Sequence, residues 1–358
     1  MSVRAILGRL RQNNQTPILC PSCGKGRLNL IGGQLSCAMR SCGYIVPTIG
    51  RVHDLDPEAG DTNLDIEEYA SVNFSNEQAY RNLFHDLDGI VTKIMGNVTV
   101  DRTLEIGAGS GAWTWGLSRS DRFKTIYATD ISHGFLSLLA DHCDFPGTTI
   151  LRTAGESLQF QQRSLDLVLG RSVLHHIHDY PDLLQQLRGW LKPGGVALFF
   201  EPCLQGKLWV AYHLDMIRRL DSQTARRNQT LPEDLRTPTL SDDARKRLEG
   251  GMRHILKDFY HADIDQVRPG IEDKYVFDID VLLAEAKQAG FAEVSHISQP
   301  QIHGLALQRI QNSLRAVLRD EAGILDLYAP VFEAFSATFG IADSTPPVAP
   351  MVYFWFKA

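Results

Sequence analysis

The sequence predicts an α/β fold, a parallel sheet covered by helices on both faces, with helical insertions and a small cysteine-held module in front of it. Three observations carry this. Short apolar runs alternate with helical patterns between residues 103 and 201, and such alternation builds a parallel sheet. The first run flows into a glycine-rich turn, Gly107-Ala108-Gly109-Ser110-Gly111. Four of the six cysteines crowd between Cys20 and Cys42. A chain of 358 residues, 44% hydrophobic and 22% charged, has ordinary globular composition and room for one large domain plus a module or insertions.

The opening segment, MSVRAILGRLRQNNQ, spreads its arginines through a short amphipathic stretch. It has no continuous apolar core followed by a small-residue cleavage site, so no signal peptide is expected. Nor does any apolar run approach the roughly 20 residues that span a bilayer, and the expected compartment is the cytoplasm. Residues 1–53 hold seven basic side chains (Arg4, Arg9, Arg11, Lys25, Arg27, Arg40, Arg51) and no acidic one, on a chain of net charge −6. That asymmetry suits either a solvated surface or an anionic partner.

Cys20, Cys23, Cys37 and Cys42 are spaced C-x2-C-x13-C-x4-C. In an intracellular chain such a cluster points to metal before disulfide. Four thiolates around a tetrahedral zinc leave no open coordination position, so the expected role is structural. The expectation is a zinc-ribbon module over residues 1–53, although the second pair is separated by four residues (Ala38–Ser41) where ribbons usually have two. His53 to Glu68 reads as an acidic linker, within a stretch 54–101 that ends in helices carrying Tyr80, Leu83, Phe84, Leu87, Ile90, Val91 and Ile94 at helical spacing.

Candidate buried strands follow at Thr103–Ile106, Thr125–Thr129, Thr148–Arg152, Leu165–Gly170 and Val196–Glu201. A helix over Tyr180–Leu191 stops at Pro193-Gly194-Gly195. The rhythm breaks into helical insertions at about 204–277, with a cap at Ser241-Asp242-Asp243, and at about 302–340. Between them a helix (Asp278–Gly290) and the strand FAEVSHIS resume the pattern, and MVYFWFKA closes it. The stripe Leu305, Ile310, Leu314, Leu318, Ile324, Leu327, Phe332, Phe335 in the second insertion reads as core or a homodimer interface.

The sharpest motif is LEIGAGSG, Leu104 to Gly111: an apolar strand, an acid near its end, then glycines where the backbone must turn tightly and meet a ligand. Taken alone it also fits a dinucleotide fingerprint through Gly107, Gly109 and Ala112. The strand IYATD then ends in Asp130, 19 residues after Gly111, and LDLVLGRSVLHHIHD and LKPGG follow in order. With these neighbours the sequence resembles class I S-adenosylmethionine (SAM)-dependent methyltransferases, the methyltransferase type 11 and ubiquinone-type C-methyltransferase branch. The resemblance runs from about Arg102 to Pro202 and resumes at Asp278–Ser298 and Met351–Ala358.

It implies a Rossmann-like seven-stranded sheet over residues 102–358 with the two helical insertions. The implied cofactor residues are Glu105, Gly107, Ala108, Gly109 and Gly111 at the methionine part of SAM, Asp130 on both ribose hydroxyls and Ile131 against adenine. Arg171 would line the methionine end. Where the family often has an adenine-binding Asp this chain has Ala154, which leaves Gly155 or Glu156 for that contact. The cysteine segment is similar to zinc ribbons fused to, or partnering, methyltransferases, including rRNA guanine methyltransferases.

Methyl transfer from a sulfonium chiefly needs alignment, and a general base only for a protonated acceptor. His175 and His176 begin the loop expected to line the acceptor pocket, and Glu201 ends the fifth strand. His213, His254, Tyr260 and His261 lie in the first insertion. The two insertions favour a small-molecule acceptor (a specialised metabolite, glycan precursor or lipid intermediate). Alternatives are rRNA or tRNA, held by the basic module with salt-sensitive affinity, and a SAM-binding protein without transferase activity.

Overall fold

The computed structural model describes residues 15–61, 66, 77–143, 145–253, 275–297, 314–315, 317–319, 323, 325–328 and 351–358, and the backbone of 254–260 and 298. They form two compact units: residues 1–199 with 286–294 and 355–358, and residues 200–285 with 295–354. The N-terminal strands β1 (Gln15–Leu19), β2 (Arg27–Ile31) and β3 (Gln34–Cys37) make a small antiparallel sheet. The large sheet contains β4 (Thr48–Ile49), β5 (Val52–Asp54), β6 (Val100–Ile106), β7 (Phe123–Asp130), β8 (Thr148–Arg152), β9 (Leu165–Arg171), β10 (Leu191–Pro202), β11 (Glu293–Ser298) and β12 (Met351–Lys357). Their order is β11-β12-β10-β9-β6-β7-β8-β5-β4.

The seven expected strands are all present, and the fold is the Rossmann-like α/β architecture the sequence implied. Two more strands extend its edge. Val52, His53 and Asp54 pair in parallel with Ile150, Leu151 and Arg152, so the first residues of the expected linker are sheet. The reason is burial: all three lie under cover on β5, and a buried backbone must have its hydrogen bonds met.

From β6 the chain adds β7 and β8 on one side, then returns to place β9 on the other. The strand order therefore reverses at β6, and a crevice opens outside the carboxyl ends of strands at such a switch point. The apolar runs of β6, β7 and β9 are buried along most of their length, as strands covered on both faces must be. Helix α1 (Glu77–Met95) buries Tyr80, Leu87, Ile90 and Val91. Helix α2 (Thr114–Arg119) follows the glycine turn, and α3 (His133–His142) is capped by Ser132, whose hydroxyl accepts from Phe135 N at 3.3 Å. Helix α4 (Tyr180–Trp190) buries Leu183, Leu184, Leu187 and Trp190 at helical spacing.

The Pro193-Gly194-Gly195 segment is not a free turn but the start of β10. Gly194 N donates to Ala358 O at 2.8 Å, and Ala358 N to Gly195 O at 2.9 Å, so the chain end supplies the pairing that turns this segment into strand.

The second unit has its own core. Helices α5 (Leu204–Asn228) and α6 (Asp242–Tyr260) bury Val210, Leu214, Ile217, Ala244 and Leu248 together with Leu240, Leu314, Leu318, Leu325 and Tyr328. Ser241 caps α6 as expected, accepting from Ala244 N at 3.2 Å. Of the apolar stripe, Leu314 and Leu318 enter this core and Leu327 is exposed, while Leu305, Ile310, Ile324, Phe332 and Phe335 lie outside the described residues. Helix α7 (Ile279–Gln288) precedes β11. Among the described residues no helix is long and apolar enough to cross a membrane.

Candidate functional site

The glycine turn sits at the carboxyl end of β6, beside the strand-order reversal. Gly107, Gly109 and Gly111 have φ of +66°, +54° and +100°, a region that costs any residue with a Cβ. Gly107 is also sterically fixed, because a Cβ there would stand 2.4 Å from Val173 Cγ2. The residue before Val173, Ser172, has a φ of +52°, left-handed for a non-glycine; strain of this kind concentrates at functional sites. Among the described residues, no atom lies within 4 Å of a Cβ position at Gly109.

Two carboxylates flank the turn. Glu105, 2% exposed, accepts from the Thr114 hydroxyl at 2.6 Å. Burial pushes its carboxyl up to about 8, with Asp130 adding to the rise and the Thr114 bond and the Arg171 charge opposing it. Asp130 ends β7 with its two oxygens divided: Oδ2 accepts from Gly109 N at 2.8 Å and Oδ1 from Ser132 N at 2.9 Å. Burial raises the Asp130 carboxyl, against those backbone bonds. Next to it Ile131 is 38% exposed, a large apolar side chain turned out at the strand end.

Ser110, between the last two glycines, is 2% exposed, and its Oγ has no partner among the described residues. Gly155 is pressed between Ile177 and Ile106; a Cβ would lie 2.9 Å from Ile177 Cδ1. Glu156 Oε1 accepts from His178 N at 3.3 Å, tying the turn after β8 to the loop after β9. In that loop the rings of His175 and His176 lie 4.0 Å apart, His175 buried and His176 half-buried.

The structure thus brings together Glu105, Gly107, Ala108, Gly109, Gly111, Asp130 and Arg171, with Ile131 beside Asp130. Gly155 and Glu156 join the His175–His176 loop through Ile177 and His178. Glu201 belongs to the second unit, fully buried at 0% exposure on β10. His213 is buried in that unit too, its Nδ1 within 2.7 Å of Trp209 O, and burial lowers its pKa. His261 and the side chains of His254 and Tyr260 lie outside the described residues.

Four residues that position the site escaped the sequence reading. Thr114 lies outside the quoted motifs, and Ser172 and Val173 lie inside LDLVLGRSVLHHIHD without any feature that singles them out. Arg152 left a signal, a charge closing the apolar run TTILR. It is buried, its Nη1 pairs with Asp54 Oδ2 at 3.0 Å, and its Nε reaches Ile131 O at 3.1 Å.

The four clustered thiols converge as a group of potential ligands, all sulfurs within 4.8 Å of one another. Cys20 and Cys42 stand 3.8 Å apart, as do Cys23 and Cys37. A tetrahedral zinc with bonds of about 2.3 Å sets its sulfurs about 3.8 Å apart, so the donor set has the right size. Gly26 N donates to Cys23 Sγ and Met39 N to Cys37 Sγ, both at 3.4 Å. The Gly26 and Lys25 amides bring the Cys23 thiol down to about 6, while burial pushes Cys37 up to about 12. A side chain at position 26 would strike Cys37 Sγ at 2.6 Å, which explains the glycine.

Residues 104–199, from β6 to β10, match the family model described as a methyltransferase domain. Over 125 residues the chain is 30% identical to the hybrid PKS-NRPS synthetase iccA of Talaromyces variabilis, covering 33% of this chain and 3% of that protein. It is 34% identical over 118 residues to the squalestatin hexaketide synthase of a Phoma species, covering 29% of this chain and 5% of that one. The chain thus spans only a few per cent of these relatives. Among solved structures it is similar to Haemonchus contortus phosphoethanolamine N-methyltransferase 2 in complex with S-adenosyl-L-methionine. That likeness has 14% identity and a TM-score of 0.42, over 99% of this chain and 73% of the other.

Proposed function

We propose that this protein transfers the methyl group of SAM to a small-molecule acceptor. The observation that carries the reading is the orientation of Asp130. Its Oδ2 accepts from Gly109 N and its Oδ1 from Ser132 N, with the Ile131 amide also acting on the carboxylate, and two oxygens with about four lone-pair sites keep room for a further donor. A carboxylate presented in this way beside a left-handed glycine turn suits the paired hydroxyls of a ribose. The exposed Ile131, next to Asp130, would then face the adenine, which Gly155 or Glu156 would also contact.

SAM supplies an electrophilic methyl group on a cationic sulfur when bound. Glu105, backed by Thr114, offers the cofactor's positive end a carboxylate, and Arg171 opposes a charge of the other sign. Ser110 Oγ offers a buried hydroxyl without a partner among the described residues. The glycines Gly107, Gly109 and Gly111, with Ala108, keep the backbone low enough for close approach. His175, His176 and Glu201 are the acceptor-side candidates, a histidine taking a proton only if the acceptor atom carries one. Cys20, Cys23, Cys37 and Cys42 hold a structural zinc, closed to catalysis by its four thiolates.

A small acceptor is favoured over RNA on two grounds. The curated relatives are named as a hybrid PKS-NRPS synthetase and a squalestatin hexaketide synthase, names that point to small organic products and not to RNA. Two of the seven basic side chains of the N-terminal segment are also engaged within the fold. Arg27 donates to Gln15 and Gln161, and Arg51 to the carbonyls of Ala140 and Cys143.

Calorimetric titration with SAM, S-adenosylhomocysteine and NAD tests the reading. Micromolar binding of both SAM-type ligands with none for NAD is expected. Binding of NAD instead would overturn it.

A further inference from the structure

The cysteine cluster is flanked on both sides by segments that hydrogen-bond to elements bordering the glycine-turn site. On the upstream side, Cys20 follows β1. Leu19 N donates to Gln159 O at 2.9 Å, and Gln161 N to Pro17 O at 2.8 Å. Ile18 bridges Phe160, both 1% exposed. Phe160 in turn packs against Tyr127 of β7 and Trp190 of α4. The chain held by β1 is thus the continuation of the Gly155–Ser157 turn, whose Glu156 ties to His178.

On the downstream side, the backbone after Cys42 returns to β3 through Val46 N to Leu35 O at 2.9 Å, then enters the large sheet as β4 and β5. There Arg152 gathers it. Its Nη1 reaches Asp54 Oδ2 at 3.0 Å and Asp56 O at 3.1 Å, its Nη2 Ala59 O at 2.7 Å, and its Nε the carbonyl of Ile131 at 3.1 Å. Two residues further along, Asp61 accepts from His133 N at 3.3 Å, in the first turn of the helix that Ser132 caps.

We propose that metal binding at Cys20, Cys23, Cys37 and Cys42 and cofactor binding at the glycine turn are thermodynamically linked, with β1 and Arg152 as the two couplings. This rests on the methyltransferase reading. The physical reason is local. A three-stranded sheet of this size buries little apolar surface, and a structural metal supplies the stability it lacks. Without the metal, β1 and the residues after Cys42 lose their common anchor. The turn at Gly155 and the carbonyl of Ile131 then lose their supports, and ligand binding must first restore them. Arg152 is a positioning residue here, since it touches no reacting atom.

The test measures S-adenosylhomocysteine affinity by calorimetry on the full chain, zinc-loaded and chelator-stripped, with metal content and far-UV circular dichroism followed in parallel. Stripping is expected to weaken binding at least about tenfold, and returned Zn2+ to restore it. Linkage demands reciprocity, so saturating S-adenosylhomocysteine must raise Zn2+ affinity by the same factor. Arg152→Met is the second arm: it should keep full zinc content, bind the ligand more weakly, and show a smaller difference between loaded and stripped protein.

A stripped protein that stays folded and binds with unchanged Kd would overturn the linkage. So would an Arg152→Met protein that binds as the parent does. Absence of binding in both loaded and stripped protein would instead bring down the methyltransferase reading, and the linkage with it.

Discussion

Glu105→Gln should stabilise the unliganded protein at alkaline pH while weakening its hold on SAM. In the folded chain the Glu105 carboxyl is pushed up to about 8, mainly by burial, from an ordinary value of 4.5. Between those values the unfolded chain has released the proton and the folded chain keeps it. Stability contributed by this group is therefore complete below the ordinary value, falls as pH rises through the interval, and levels off above about 8. Each unit is about 1.4 kcal/mol, so the rise from 4.5 to about 8 costs the unliganded fold on the order of 5 kcal/mol at pH 8 to 9.

Glutamine keeps the acceptor for the Thr114 hydroxyl and removes the titration. Thermal unfolding of parent and variant between pH 5 and pH 9 is the assay, and their Tm difference should widen in the variant's favour as pH rises, to roughly 5 °C. SAM affinity should fall at least about tenfold, the scale of one lost charge-assisted contact. In the parent, binding near pH 7 should release up to one proton, because the cationic ligand favours the carboxylate; calorimetry in two buffers of different ionisation enthalpy counts it. Parallel Tm curves for the two proteins, or undiminished SAM binding by the variant, would refute the reasoning.

Three further outcomes are expected. Asp130→Ala should cost SAM binding about 1–3 kcal/mol without altering Tm by a similar amount, since its partners are two backbone amides at the cleft and not core groups; calorimetry beside thermal unfolding decides. Gly107→Ala should lower stability by about 2 kcal/mol or more, because the new Cβ meets Val173 at 2.4 Å in a left-handed backbone, and adding Val173→Ala should recover only part of that in denaturant unfolding. In the second unit, Asp221→Ala should cost about 2–3 kcal/mol. Asp221, 1% exposed, accepts from Leu240 N at 2.7 Å and Arg245 Nε at 2.8 Å, and its loss leaves the buried amide of Leu240 without its acceptor.

Much of the crevice was legible in the sequence because its parts are local. A strand that ends in an acid and glycines announces itself through composition, since only glycine tolerates the dihedrals at Gly107, Gly109 and Gly111. Asp130 was legible for the same reason, standing at the end of an apolar run. The cysteine spacing likewise singled out four thiols that the fold gathers within 4.8 Å of one another.

What tertiary structure alone decided is everything set by neighbours distant in sequence. That Val52–Asp54 joins the sheet depends on the open edge of β8, and that Pro193–Gly195 is strand depends on the chain end at Ala358. Val173 matters only because it lies over Gly107, and Arg152 only because its fork meets Asp54, Asp56, Ala59 and Ile131 at once. The sequence by itself determined the fold class, the glycine turn with its two acids, and the cysteine set, because backbone sterics and periodicity are written in neighbouring residues. The pKa of Glu105, the orientation of Asp130 and the hydrogen bonds of Arg152 to Asp54, Asp56, Ala59 and Ile131 were decided in three dimensions, because desolvation and long-range hydrogen bonds depend on which distant groups the fold brings together.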